Sequence, residues 1–131
     1  ALLNTAGFII DNTESWLTPK LLPMLAFLIT AIVAFSTGTS WGTYAIMIPI
    51  AVPLAFNFSE NEITHIVYAT VAAIAGGGVF GDHCSPLSDT SILASTGAAS
   101  DHIDHIKTQM PYALIVGLIS VLIYLVIGNT F

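Results

Sequence analysis

Two carboxylates, an imidazole, a thiol and a row of hydroxyls are gathered in Asp82–His83–Cys84–Ser85–Pro86–Leu87–Ser88–Asp89–Thr90–Ser91, between two strongly apolar stretches. Carboxylate, hydroxyl and carbonyl oxygens suit hard cations, and carboxylates also take up protons. An ionisable side chain in apolar membrane surroundings costs about 2.5–3.5 kcal/mol on insertion scales, so such groups are kept where they bind or carry something. A carboxylate that is desolvated can hold either a proton or a hard cation, so such a motif reads first as an ion or substrate site. Asp82 and Asp89 are the leading candidates, with Ser85, Ser88 and Thr90 as neutral oxygen donors. Both aspartates have plainer roles open to them, as helix caps or as solvated loop acids. Histidine changes charge near neutral pH, so His83 is a candidate proton relay or pH sensor, with a structural hydrogen-bonding role equally open.

Other reactive residues point nowhere so specific. His102 and His105 sit one helical turn apart, between Asp101 and Asp104, and could be read as metal ligands. No thiolate or fixed ligand spacing completes a zinc pattern, so 101–109 reads better as an amphipathic, interfacial lead-in to the last helix. No metal beyond Na⁺ is expected. His65 reads as a packed or interfacial histidine. Cys84 beside His83 lacks the watery cleft and orienting group of a cysteine nucleophile, and as the single cysteine it excludes an internal disulfide framework. An enzyme is not expected. Eight acids face only Lys20 and Lys107, for a net charge of −6, so there is no basic patch and no nucleic-acid partner.

The elements that must position the acidic motif are membrane helices. Of 131 residues 55% are hydrophobic and 8% charged, against about 25% charged in an average soluble domain. Mean hydropathy is +0.86. Residues 1–19 read as a helix end and a polar connection, with Trp16 at a membrane interface. Membrane segments are expected at 20–36, 41–58, 62–81 and 110–128, with a short helix over 88–98. The segment 20–36 is apolar on every face, as a buried or lipid-embedded helix is. Pro49 and Pro53 should kink the second segment. Gly76–Gly77–Gly78 should let a neighbouring backbone approach closely.

Two breaks interrupt these segments, and irregular backbone at membrane depth needs protein cover or a watery cavity. Transporters bind ions at such breaks. At the acidic motif the incoming helix should end near Gly81, its last carbonyls forming a cation-attracting corner with Asp82. Pro86 forbids a regular continuation, and Ser88 suits the N-cap of the next helix, with Asp89 in its first turn. The other break, Ser36–Thr43, offers Thr37, Gly38, Thr39 and Ser40 as site lining, or is a simple turn between crossings. If 62–98 is a re-entrant hairpin, Lys20 and Lys107 fall on one face, as the positive-inside rule prefers. If it is a broken crossing, they fall on opposite faces.

Residues 35–55 (FSTGTSWGTYAIMIPIAVPLA) and 81–114 (GDHCSPLSDTSILASTGAASDHIDHIKTQMPYAL) resemble the two signature regions of the NhaC-type Na⁺/H⁺ antiporters, within the wider ion transporter superfamily. The resemblance spans roughly residues 10–128. It implies an all-α membrane protein of polytopic helices, with broken or re-entrant segments, forming part of an inverted-repeat secondary transporter. It implies Na⁺/H⁺ antiport by alternating access, at a prokaryotic inner (plasma) membrane. Some relatives move organic acids or amino acids with Na⁺ or H⁺, which is the alternative function. The chain resembles the C-terminal part of such a protein, so residues 1–131 are expected to belong to one transporter domain whose N-terminal part supplies the rest of the site. The expected partners are the lipid bilayer, Na⁺ and H⁺ as transported ions with no cofactor, the N-terminal part itself and, as an open arrangement, a second copy in a homodimer.

Overall fold

The computed structural model describes residues 17–130, together with Phe8 and Asn12. The expected connection through Asp11, Thr13, Glu14 and Trp16 lies outside the described residues. After a 3-10 turn at Pro19–Leu21 come α1 (Leu22–Thr37), α2 (Ser40–Phe58), α3 (His65–Cys84), α4 (Asp89–Gly97) and α5 (His102–Thr130). Among the described residues there is no strand. The segments Pro19–Thr37, Ser40–Phe58 and His102–Thr130 are long and apolar enough to cross a membrane. The chain is thus an all-α, polytopic membrane protein. At 20 residues α3 is about 30 Å long. It is less apolar because it carries the glycines and Asp82, and the other three long helices surround it.

Side-chain contacts fix the directions. Leu22 at the start of α1 shares a cluster with Val67 at the start of α3 and with Leu54 and Ala55 near the end of α2. At the other end Ala31 and Ala34 face Gly81, and the Tyr44 hydroxyl donates to the Ala75 carbonyl at 2.9 Å. So α1 and α3 are parallel, and α2 runs against both. The last helix also runs against α3: Gln109 lies at His83, Gly117 at the Phe80 ring, and Gly128 at the Lys20 backbone. Phe27 ties these layers together, with ring centroids 5.8 Å from Phe80 and 5.6 Å from Tyr124. Both helix breaks, α4 and the start of α5 therefore share one end of the bundle.

The closest seam joins α1 and α3. A methyl group on Gly77 would sit 2.5 Å from the Phe27 carbonyl oxygen, and one on Gly81 would overlap the Ala31 carbonyl oxygen. Two glycines four residues apart thus face two carbonyls four residues apart. This is the small-residue packing that holds helices together in lipid, where burial of apolar surface gives little drive. Weak Cα–H···O contacts recur at such approaches.

One expectation is corrected, one boundary moves and one open alternative is decided. The break does not begin at Gly81: α3 continues through Asp82 and His83 to Cys84, and Ser85 is the first extended residue (φ −76°, ψ 130°). Pro86 sets that end by disfavouring helical backbone in the residue before it, while Gly81 serves the seam. The polar stretch 101–109 forms the first turns of the last helix, which starts at His102 rather than 110 and continues through Pro111. Asp101 starts it, its Oδ1 accepting the backbone N–H of Ile103 (2.9 Å) and Asp104 (3.1 Å). Finally, the lysines lie at opposite ends of the bundle, as the broken crossing requires. Lys20 lies beside Gly128, and Lys107 lies at the opposite end, near the contact of Gln109 with His83. Two charges do not override a 20-residue helix that runs the length of the bundle.

Gly81→Ala should destabilise the full-length protein in detergent by about 1–3 kcal/mol, the usual cost of overpacking. Gly97→Ala, with nothing within 4 Å of the added methyl, should be neutral or stabilising. Equal melting temperatures for the two variants would contradict the seam.

Candidate functional site

Pro86 splits what would be one long helix into α3 and α4, and the polar side chains of the motif close the gap. Asp82 is 7% exposed, Ser85 and Ser88 fully buried, and Ser91 and Ser95 nearly so. Ser88 is the N-cap of α4, accepting the Thr90 backbone N–H at 3.2 Å. Its own hydroxyl donates to Asp82 Oδ1 at 2.7 Å. The Ser88 oxygen is also 2.7 Å from the Thr90 hydroxyl. Ser88 has one hydrogen and spends it on Asp82, so Thr90 is the donor in that pair. A chain of hydroxyls thus runs from the first turn of α4 to the buried carboxylate in the last turn of α3. Asp82 Oδ2 takes no hydrogen bond from the described residues.

The remaining motif residues separate from this chain. Ser85 Oγ accepts the Leu87 N–H at 3.1 Å, shaping the turn. Asp89 is exposed in the first turn of α4, where a negative charge complements the helix dipole. The His83 side chain is also exposed, on the groove between α3 and α5. Two of the carbonyls expected in that corner already have partners. The Asp82 carbonyl accepts the Ser85 N–H at 3.1 Å. The His83 carbonyl accepts both Ser91 Oγ (3.1 Å) and Gln109 Nε2 (3.0 Å).

The two breaks meet. Gly38 closes α1 in the left-handed conformation (φ 68°), and a methyl on it would lie 2.8 Å from the Leu87 carbonyl carbon. Thr39 caps α2 by accepting the Gly42 N–H at 3.4 Å. The Thr37 hydroxyl turns back to the Val33 carbonyl at 2.9 Å, so it closes its own helix. Tyr44, one turn after Ser40 in α2, lies within electrostatic reach of Asp82. Gly38 is therefore beside the acidic break, with Ser40 two residues on, while the hydroxyls of Thr37 and Thr39 are occupied locally.

Two residues at the break were not singled out from sequence: Gln109 and Tyr44. Their spacing to the motif is long, and only the folded helices bring them in. A third, His102, was weighed only as a metal ligand or interfacial residue. Its Nε2 lies 2.9 Å from the Pro86 carbonyl and its Nδ1 3.2 Å from Ser95 Oγ. Among the described residues no three His, Cys, Asp or Glu side chains converge to hold a metal ion.

A polytopic bundle with a buried carboxylate at a helix break is an arrangement that secondary transporters use. The chain belongs to the Na⁺/H⁺ antiporter family, whose model matches residues 3–129. It is 47% identical over 129 residues (98% of the chain) to an uncharacterized protein of Haemophilus influenzae. It is 35% identical over 112 residues (86%) to an uncharacterized Na⁺/H⁺ antiporter of the same organism. It is also 35% identical over 124 residues (95%) to the arginine/ornithine antiporter ArcD of Halobacterium salinarum. The chain spans about a quarter of the length of these relatives, 24%, 23% and 24% respectively. No solved structure matches it. The family is one of membrane antiporters, not enzymes.

Ser88→Ala removes the cap of α4 and the donor to a buried carboxylate together. The expected loss is about 2–3 kcal/mol. Hydrogen exchange at the Thr90 and Ser91 amides should speed up first. Unchanged protection there would mean that Ser88 does not hold the α4 terminus.

Proposed function

We propose that this chain carries the ion-coupling site of a secondary antiporter that exchanges Na⁺ for H⁺ by alternating access at a prokaryotic plasma membrane. The observation that carries this reading is the buried Asp82 carboxylate, hydrogen-bonded on one oxygen by Ser88 at the break between α3 and α4. In the proposal Asp82 holds either a proton or Na⁺. Ser88 presents a hydroxyl oxygen that can turn from donor to ligand, and Thr90 supplies the hydroxyl behind it. Ser85 keeps the turn, and Asp89 stabilises the α4 terminus rather than binding the ion. Gly38 and Ser40 line the site from the other break. The rest of the full-length chain completes the ligand set.

A second reading has the same site driving an amino-acid carrier. The relative named as an arginine/ornithine antiporter, at 35% identity over 95% of the chain, supports it. The N-terminus of α4 would then face a substrate carboxylate.

The full-length protein in liposomes, loaded with a pH dye, separates these readings. Addition of Na⁺ should move internal pH, and Asp82→Asn should slow that exchange by about 10²-fold, the scale of a lost proton-transfer group. Asp89→Asn should stay within a few-fold of wild type. Full exchange in Asp82→Asn refutes the site. Uptake of labelled arginine without any Na⁺-driven pH change refutes Na⁺/H⁺ exchange and favours the carrier.

A further inference from the structure

The α3–α4 break is held from outside by α5. Pro86 leaves its own carbonyl without a helical partner, and that oxygen can only accept. His102 Nε2, at 2.9 Å, must therefore carry the hydrogen of that bond. Gln109 Nε2 donates to the His83 carbonyl at 3.0 Å. His102 and Gln109 are seven residues apart, two turns of one helix, and so share a face of α5. Their acceptors flank the Asp82–Ser88 hydrogen bond: His83 directly follows Asp82, and Pro86 precedes Ser88 by two residues. Ser95 Oγ, 3.2 Å from His102 Nδ1, steadies the imidazole from α4. One helix face thus grips the last turn of α3 and the turn leading into α4.

We propose that His102 and Gln109 are positioning residues of the site, a two-point clamp from α5 that keeps Ser88 on Asp82. Neither reaches the carboxylate. Both act through backbone carbonyls, so the side chain must offer a donor at the right reach, and its charge is not required. Loss of either donor should loosen the break, weaken ion binding more than turnover, and expose what the break buries.

Cys84, 3% exposed at the end of α3, reports that opening directly. The test uses the full-length protein in lipid nanodiscs, with N-ethylmaleimide labelling of the Cys84 peptide followed by mass spectrometry. His102→Ala and Gln109→Ala should each raise the labelling rate about five- to tenfold, the shift in local opening expected from one lost hydrogen bond. His102→Gln retains a donor of similar reach and should return the rate to within about twofold of wild type. In liposomes the alanine variants should raise the KM for Na⁺ by a similar factor and change kcat less. This transport arm rests on the proposed Na⁺/H⁺ exchange, and the labelling arm does not. Absence of Na⁺-driven exchange in the wild type would refute the function while Cys84 labelling still decides the clamp. Labelling within twofold of wild type in both alanine variants overturns it. If His102→Ala is recovered only as aggregate, the same result in Gln109→Ala alone overturns it.

Discussion

Pro86 removes a backbone donor and pushes Ser85 out of helical conformation, and around that one interruption the rest of the site is arranged. In hydrocarbon each backbone group left without a partner costs several kcal/mol. Four side chains and two turn amides meet that demand. The Ser85 N–H returns to Asp82, and the Ser88 N–H to Ser85 at 3.3 Å. Ser91 and Gln109 serve the His83 carbonyl, His102 serves Pro86, and the Ser88 hydroxyl serves Thr90. Much of the hydroxyl density of the motif is therefore backbone satisfaction. What remains after that demand is met is the Asp82 carboxylate and the hydroxyl that Ser88 gives it.

That distinction explains what was legible in the sequence. The helical class, the two breaks, Ser88 as a cap and the dipole position of Asp89 all follow from local rules, and the structure has each of them. Proline and serine act on their immediate neighbours, so their effects can be read from a short window. The end of α3 was misplaced because Gly81 has two readings, helix terminator and packing surface, and only the Ala31 carbonyl lying against it decides between them. His102 and Gln109 belong to a helix whose start looks polar and interfacial. Their partners are 16 and 26 residues away in sequence. No window links a histidine in 101–109 to a carbonyl at Pro86 until α3 and α5 are known to be antiparallel.

The bundle divides into two kinds of contact with different physical origins. Along α1 and α3 the backbones touch, through Gly77 and Gly81 against Phe27 and Ala31. Such a seam has one good register, because sliding either helix by a residue brings side chains where only hydrogens fit. Since both breaks extend from this pair, it is a frame that carries them together.

The seat of α5 is different. Apolar grooves of about 720 Å³ and 630 Å³ flank it, the first reaching His83 and Gln109 at its polar end and the second running along Ala31 and Phe35. Only 6% of its most apolar window is buried. Its close contacts are local ones, Gly117 at the Phe80 ring and Gly128 at the Lys20 carbonyl. At the break end directional hydrogen bonds add to these contacts, at the carbonyls bracketing Asp82. In the proposed exchange, a carboxylate alternating between proton and cation would change the strength of its bond to Ser88. That change would be felt first where the surrounding structure rests on single hydrogen bonds rather than on packed backbone. In that proposal the carboxylate sits beside the hydrogen-bonded end of the α5 seat, while the two-glycine frame runs along α1 and α3.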